Sequence, residues 1–304
     1  MLEIKTINDF LSLPTQVREE IQKAIRTKDR LEDFLRSQNK RLDKEKTTPH
    51  WVTCNRCKEH PGWVLSGRTR DDSDIHPSQI NKCLKFLFYS CAGYTDKLEE
   101  FIEPRLQMIF DLGHAWHDTI QKYGRKGAWG PPENYHAEVP IDPNALAADG
   151  TPISPVASKY WIRGSVDALI DDYRIENVPS VGPVSIRLIH EYKTINGGQY
   201  SKLTRPKPEH KFQATIYAAV FDVPIVVYLY TSKDDCRTVD YPVPFDHTIW
   251  NEVVSKVESV QDFINRDAEP PWELTSAVKD PSECEKCGFR STCSPPLKQI
   301  RKTQ

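Results

Sequence analysis

The chain has 304 residues, of which 38% are hydrophobic and 28% are charged. That is enough apolar sequence to build a core, but no run reaches the roughly 18 consecutive apolar residues of a transmembrane helix, so a membrane protein is not expected. The net charge of −2 lacks the basic excess of many nucleic-acid-binding proteins, so local patches must carry any such contact. The N-terminus lacks the basic-then-apolar layout of a signal peptide, and a cytoplasmic protein is expected.

The first 75 residues are predicted to form a helical N-terminal extension, followed by one main domain over residues 76–304. Residues 15–46 are rich in charge, and their apolar residues recur near the helical period. This pattern predicts an amphipathic helix, broken near Lys28, that packs one stripe on the core. Residues 47–75 read as irregular.

Helical and strand patterns alternate along the rest of the chain, which predicts a mixed α/β fold. Strands are predicted at 136–141, 159–170, 185–193 and 224–230, with a surface insertion at 142–158. Helices are predicted from Pro77 or Ser78 through Cys83, beyond Pro104, from Pro208 to about Val220, and after an N-capping Asp246. One face of the helix beyond Pro104 collects the residues Leu106, Ile109, Phe110, Gly113, Trp116, His117 and Ile120.

A carboxylate and lysine motif occupies two of the predicted strands. Side chains two apart on a strand share a face, so Glu191 and Lys193 point the same way, and Asp167 approaches Glu191 if the two strands pair. Two converging carboxylates attract Mg²⁺ or Mn²⁺, which activates water for phosphodiester hydrolysis, and a lysine can offset the charge that builds on phosphorus. By itself the motif is equally typical of an exposed, salt-bridged strand pair.

Two helical motifs flank this set: Gly113-x-x-x-His117 upstream and Gln213-x-x-x-Tyr217 downstream. In this order the motifs resemble those of the RecB-like nucleases of the PD-(D/E)XK superfamily. The resemblance implies a restriction-endonuclease-like core, in which helices flank a mixed central sheet. It further implies that His117, Asp167, Glu191 and the Tyr192 carbonyl bind the metal.

The same resemblance makes Lys193 the catalytic lysine, with Gln213 and Tyr217 orienting it and contacting DNA phosphates. A histidine on an apolar helical face is also common as a satisfied core residue, which is the alternative for His117. Glu138 is either a further acidic member of the site or an ordinary edge-strand glutamate, and it is left out of the set.

Near the C-terminus, Cys284, Cys287 and Cys293 form a C-x2-C-x5-C motif. Three thiolates leave one position of a tetrahedral site open, and Cys83 is the first candidate for it, with Cys91 as a substitute. One early and three late cysteines resemble the iron–sulfur branch of this superfamily, which includes the AddB nuclease domain and the CRISPR-adaptation exonucleases. The resemblance implies a [4Fe–4S] cluster that staples the two chain ends together, and zinc is the alternative occupant.

Two features of this chain depart from that pattern or lie outside it. The family's early motif is usually C-P-R/K, whereas this chain has Cys83-Leu84-Lys85. The pair Cys54-x2-Cys57 is either half of a second zinc site, completed by His60 or His76, or two surface thiols.

The expected function is a metal-dependent DNA exonuclease, a Mg²⁺- or Mn²⁺-dependent deoxyribonuclease acting at DNA ends in recombination, repair or end processing. We favour a general or phage-type recombination nuclease. No helicase motif is present, so the protein would need a helicase or recombinase partner, or a pre-existing end. The loop 194–202 after Lys193 either tracks a DNA backbone or is a plain surface loop. A non-catalytic DNA-binding scaffold with the same fold and a structure-specific endonuclease or an RNase are the alternatives.

Overall fold

A computed structural model describes residues 1–42, 74–94, 104–272, 284 and 287–293, and the side chains of 38–42 and 104–107 are not considered. The Cys54 and Cys57 pair, with His60, lies outside the described residues.

Six strands form one mixed sheet within the described ranges. The strands are β1 (Leu2–Ile4), β2 (Tyr135–Ile141), β3 (Gly164–Val178), β4 (Gly182–Ile195), β5 (Ile225–Ser232) and β6 (Thr238–Pro244). Their order is β2-β3-β4-β5-β6, and β1 pairs in parallel with the beginning of β4. The β3–β4 and β5–β6 pairs are antiparallel, whereas β4 and β5 run parallel. Because β5 is central and covered on both faces, all eight of its residues are buried and most are apolar or aromatic.

Helices cover both faces of this sheet. They are α1 (Ile7–Leu11), α2 (Thr15–Ala24), α3 (Thr27–Leu42), α4 (Leu84–Cys91), α5 (Pro104–Gly124), α6 (Pro155–Lys159), α7 (Gly197–Tyr200), α8 (Pro208–Phe221), α9 (His247–Asn265) and α10 (Arg290–Cys293). The mixed α/β class, with a central mixed sheet flanked by helices, is therefore confirmed. Among the helices that the structure describes, none is both long enough and apolar enough to span a membrane.

Successive residues of β4 and β5 enter two different hydrophobic cores, because strand side chains alternate between faces. Ile189 and Val226 pack in a core with α8 and α9, whereas Leu188 and Val227 pack in a core with α2 and α5. The second core includes apolar residues of α1, α2 and α3, so the N-terminal helices cover that face of the sheet. The domain division after residue 75 stays a prediction.

The prediction of a broken helix over residues 15–46 is confirmed for residues 15–42, with the break just before Lys28. Helix α2 ends at Ala24, the next residue Ile25 has an extended backbone with φ −67° and ψ 123°, and α3 begins at Thr27. The Arg26 N–H lies at the break and donates to the Tyr173 hydroxyl at 3.2 Å. This partly buried hydrogen bond thus ties the kink to the sheet.

Four details of the structure differ from or add to the predicted elements. Residues 155–159 form α6, capped by Ser154, and the following strand begins only at Gly164 and continues to Val178. The 142–158 insertion is not wholly on the surface, because Ala157 is fully buried in the core. Cys83 caps α4 instead of lying inside a helix. On the predicted apolar face of α5, Ile109 and Phe110 are exposed, whereas Ile120 is buried.

Two strands escaped prediction for reasons visible in their sequences. Strand β1 has three residues, too short for a period-two pattern to register. Strand β6 contains Pro242 and Pro244 near its C-terminal end, and prolines argue against a strand in the interior of a sheet. Because β6 lies at the edge of the sheet, it tolerates them.

Candidate active site

The two acidic residues of the motif meet where the β3–β4 ladder ends. The last pair there is Ala168–His190, so Asp167 and Glu191 occupy the next position along the two antiparallel strands. Beyond that pair the Asp167 Oδ2 atom accepts the Tyr192 N–H at 2.6 Å, so a carboxylate takes the place of the next ladder carbonyl. Asp167 therefore lies near the start of its strand, opposite the end of β4.

Glu191 is the most enclosed carboxylate of the site, with 4% of its surface exposed. Its Oε1 atom accepts two hydrogen bonds, from Lys193 Nζ at 2.7 Å and from Gln213 Nε2 at 3.1 Å. Its Oε2 atom is buried and has no hydrogen-bond partner within the described part of the chain. As the alternation of β4 predicts, Glu191 and Lys193 share a face, and His190 and Tyr192 take the other.

Helix α8 contributes the next layer of contacts. Gln213 Nε2 also donates to the Tyr217 hydroxyl at 2.9 Å, which follows from the i, i+4 spacing of the two residues. The structure therefore brings Gln213 to the carboxylate and Tyr217 to Gln213. The Tyr228 hydroxyl lies 2.9 Å from the His210 carbonyl and 3.4 Å from Gln213 Oε1, and its single proton can be donated to either. Tyr228 was missed, because nothing in β5 distinguishes it from a core tyrosine.

Helix α5 reaches the site from its C-terminal half. His117 Nδ1 lies 3.1 Å from Asp167 Oδ1. One turn later the buried Gln121 donates Nε2 to the Asp167 carbonyl at 3.1 Å and to Glu138 Oε1 at 2.5 Å. Gln121 was missed as well, although its spacing of four residues from His117 could have indicated it.

The backbone of Glu138 is unusual. Its φ is 52°, in the left-handed region that residues other than glycine rarely adopt. It falls between the pairs Ala137–Ala168 and Val139–Val166, at the position opposite Asp167. Such a conformation costs about 1–3 kcal/mol and persists only where surrounding contacts hold it, here the hydrogen bond from Gln121.

The electrostatics of the site follow from burial and close charges. Burial, and then the neighbouring Asp167, raise the pKa of Glu191 to about 7, against the opposing effect of Lys193. Burial lowers the pKa of Lys193, but Glu191 and Asp167 outweigh it and the net pKa is raised. Burial likewise lowers the pKa of His117, and the hydrogen bond and charge of Asp167 reverse the shift. The carboxylates of the site thus favour the charged forms of both Lys193 and His117.

The predicted metal ligands are paired with protein groups in this structure. His117 contacts Asp167, Lys193 contacts Glu191, and no three His, Cys, Asp or Glu side chains of the described residues are grouped to hold a metal ion. The donor chemistry nevertheless fits a hard divalent cation. A buried carboxylate oxygen without a partner is costly, and carboxylate oxygens are the ligands that Mg²⁺ and Mn²⁺ prefer.

The cysteines of the predicted cluster lie in one neighbourhood. Cys287 and Cys293 pack against an aromatic cluster of Phe88, Tyr89 and Phe289, and Cys83 Sγ accepts the Phe86 N–H at 3.4 Å. Burial raises the pKa of Cys293 to about 12, Lys85 opposes it, and the three other cysteines of the predicted set add to the rise. Cys91, the substitute ligand, is the last residue of α4 and lies in the main core instead. The iron–sulfur cluster stays a prediction.

No protein-family model and no curated protein sequence matches this chain. Among solved structures, it is similar to the protein SSO0001, with a TM-score of 0.43 and 18% identity over 79% of this chain and 92% of that one. It is also similar to an alkaline exonuclease, LHK-Exo, from Laribacter hongkongensis, with a TM-score of 0.39 and 14% identity over 66% of this chain and 91% of that one. The same exonuclease in complex with dAMP gives a TM-score of 0.40 and 16% identity over 64% of this chain and 90% of that one. Similarities at these identities and TM-scores do not assign the chain to a family.

Proposed function

We propose that this protein is a metal-dependent DNA exonuclease that hydrolyses phosphodiester bonds at DNA ends. The observation that carries the proposal is the buried Glu191 carboxylate, which is fixed through one oxygen by Lys193 and Gln213 and has a second oxygen without a partner among the described residues. Asp167 lies beside it at the end of the β3–β4 ladder. An ordinary surface ion pair needs neither the burial nor the second carboxylate.

Asp167 and Glu191 would hold the divalent cation, with His117 and the Tyr192 carbonyl as the further ligands that the family resemblance implies. When bound, such a cation polarises the phosphodiester and lowers the pKa of an attacking water. Lys193, with 24% of its side chain exposed, is open to a substrate phosphate. Because its pKa is raised above the ordinary lysine value, it stays protonated at neutral pH and acts as a cation, not as a base.

The neighbouring residues position these groups. Gln213 holds the Glu191 carboxylate in one orientation, and the Tyr228 hydroxyl lies 3.4 Å from the Gln213 Oε1 atom, to which it can donate. On the other side of the site, Gln121 fixes strand β3 by donating a hydrogen bond to the Asp167 carbonyl. Each bond restricts a group before substrate arrives, which is how a preorganised site lowers the barrier.

The intact Asp167, Glu191 and Lys193 set argues against the non-catalytic scaffold, which has no use for a half-buried lysine beside two carboxylates. A structure-specific endonuclease would share the chemistry and differ only in the DNA that it accepts. We further propose that Cys83, Cys284, Cys287 and Cys293 hold the [4Fe–4S] cluster, with zinc as the alternative. The apolar, aromatic surroundings of Cys287 and Cys293 support a buried structural cofactor.

The test uses protein purified without oxygen, Mg²⁺ or Mn²⁺, and linear DNA labelled separately at each end. We expect metal-dependent release of label, abolished in Lys193→Ala and retained in Lys211→Ala, which removes an exposed lysine of α8. Circular single-stranded DNA separates the modes, because an exonuclease leaves it intact. No hydrolysis of any DNA with either metal would overturn the proposal, and an active Lys193→Ala would overturn the role of that lysine.

A further inference from the structure

The first described half of α5 carries apolar side chains that face solvent. Met108 is 66% exposed, Ile109 39%, Phe110 44% and Leu112 63%. The second half of the same helix behaves differently, because Ile120 is fully buried in the core. Apolar residues on one half of a helix that the core does not use indicate a contact surface.

Helical geometry singles out Phe110 within this group. His117 follows Phe110 by seven residues, which at about 100° per residue brings the two to within about 20° of the same face. Seven residues rise about 10 Å along the axis. Since His117 contacts Asp167, Phe110 lies on the face of α5 that carries the site, two turns before it. Met108 precedes His117 by nine residues and falls about half a turn away, on the opposite face.

One close approach and one hydrogen bond place this half of α5 beside the end of β4, the strand that carries Lys193. A Cβ atom on Gly113 would lie 3.7 Å from the Thr194 hydroxyl, and Thr194 directly follows Lys193. Lys233 donates Nζ to the Ile109 carbonyl at 3.4 Å, and its backbone N–H donates to the Ile195 carbonyl at 2.8 Å. The exposed aromatic ring is therefore at the margin of the active site, with a lysine ammonium next to the same turn.

We propose that Phe110 is a stacking platform for a base of single-stranded DNA whose scissile phosphate lies at Asp167, Glu191 and Lys193. The axial rise of about 10 Å from Phe110 to His117 corresponds to about three stacked nucleotides at about 3.4 Å each. Aromatic rings stack on bases without regard to sequence, and Lys233 adds a cation for the backbone. Bases inside a duplex are paired and stacked and offer no free face, so the platform selects single strands and unpaired ends. The inference rests on the proposed function for the location of the scissile phosphate.

The experiment measures binding and hydrolysis separately. Binding of a fluorescently labelled single strand, and of its blunt duplex, is followed by anisotropy with the metal chelated. The variants are Phe110→Ala, Phe110→Trp and the control Met108→Ala, which truncates an exposed apolar residue on the opposite face of the same helix. Hydrolysis of a nitrophenyl thymidine phosphate diester by the wild-type protein reports the catalytic site without any second base.

We expect Phe110→Ala to bind the single strand about tenfold more weakly, which is the loss of one aromatic–base stack, and to bind the duplex as before. Phe110→Trp should restore binding, and Met108→Ala should bind like the wild-type protein. Unchanged single-strand affinity in Phe110→Ala would overturn the platform, and so would an equal loss in Met108→Ala, because the effect would then not be specific to the Phe110 face. Wild-type protein that binds as expected but hydrolyses neither the diester nor DNA would overturn the proposed nuclease and leave the platform standing.

Discussion

Acidification should destabilise this protein through His190, the neighbour of Glu191 on the opposite face of β4. The His190 side chain is fully buried, with Nε2 3.2 Å from the Thr27 hydroxyl and Nδ1 lacking a hydrogen-bond partner among the described residues. Burial, helped by the charge of Arg30, lowers the pKa of His190 to about 3. The folded protein therefore keeps the ring neutral under conditions in which the unfolded chain protonates it.

The direction and size of the effect follow from linkage. As pH falls below about 6.5, the unfolded state takes up a proton that the folded state refuses, so stability is lost from there down towards the folded pKa. A pH of ~5 lies about 1.5 units below the unfolded pKa of about 6.5. The free energy of unfolding is therefore lower there by about 2 kcal/mol. Burial lowers the pKa of His210 to about 3 as well, with Lys193 and Lys207 adding to the shift, and it contributes a separate loss.

The measurement is urea unfolding, followed by circular dichroism, of wild-type protein and His190→Gln at pH ~8 and ~5. Glutamine carries no charge at either pH and can still bond to Thr27, while His210 titrates in both proteins. We expect the variant to lose about 2 kcal/mol less than the wild-type protein between the two values of pH. An equal loss in both proteins would refute the assignment of a neutral buried imidazole.

Three substitutions probe the site and its supports. Gln213→Leu removes the amide that holds Glu191, and we expect kcat/KM to fall tenfold to hundredfold. This fall corresponds to the loss of about 1.5–3 kcal/mol, the strength of a hydrogen bond to a charged group. An unchanged kcat/KM would contradict the positioning role. Cys287→Ser should abolish the brown absorbance near ~400 nm of an iron–sulfur cluster, and colourless wild-type protein with stoichiometric zinc would contradict that cofactor. Gly124→Ala should lower Tm and reduce the free energy of unfolding by about 1–3 kcal/mol, because the added methyl group overlaps the buried Tyr135 ring. A higher Tm, the usual result of this change within a helix, would show that the ring can move.

Local periodicity was sufficient for part of the site. The period of two along β4 predicted that Glu191 and Lys193 share a face, and the i, i+4 spacing predicted the contact between Gln213 and Tyr217. The N-cap of α9 by Asp246 was also predicted and is confirmed by its hydrogen bonds to the Thr248 and Ile249 N–H groups. These features depend only on neighbours within one turn or one strand, and the sequence records them directly.

The sequence alone determined the mixed α/β class, the faces of the central strands and the residues of the carboxylate and lysine motif. Only the tertiary structure decided that His117 reaches Asp167 across 50 residues of chain, that Gln121 and Tyr228 support the site, and that Phe110 is exposed instead of packed. The physical reason is that burial and long-range contacts depend on which surfaces the other elements leave free. The sequence pattern of an apolar helical face is the same whether a core, a substrate or only water lies against that face.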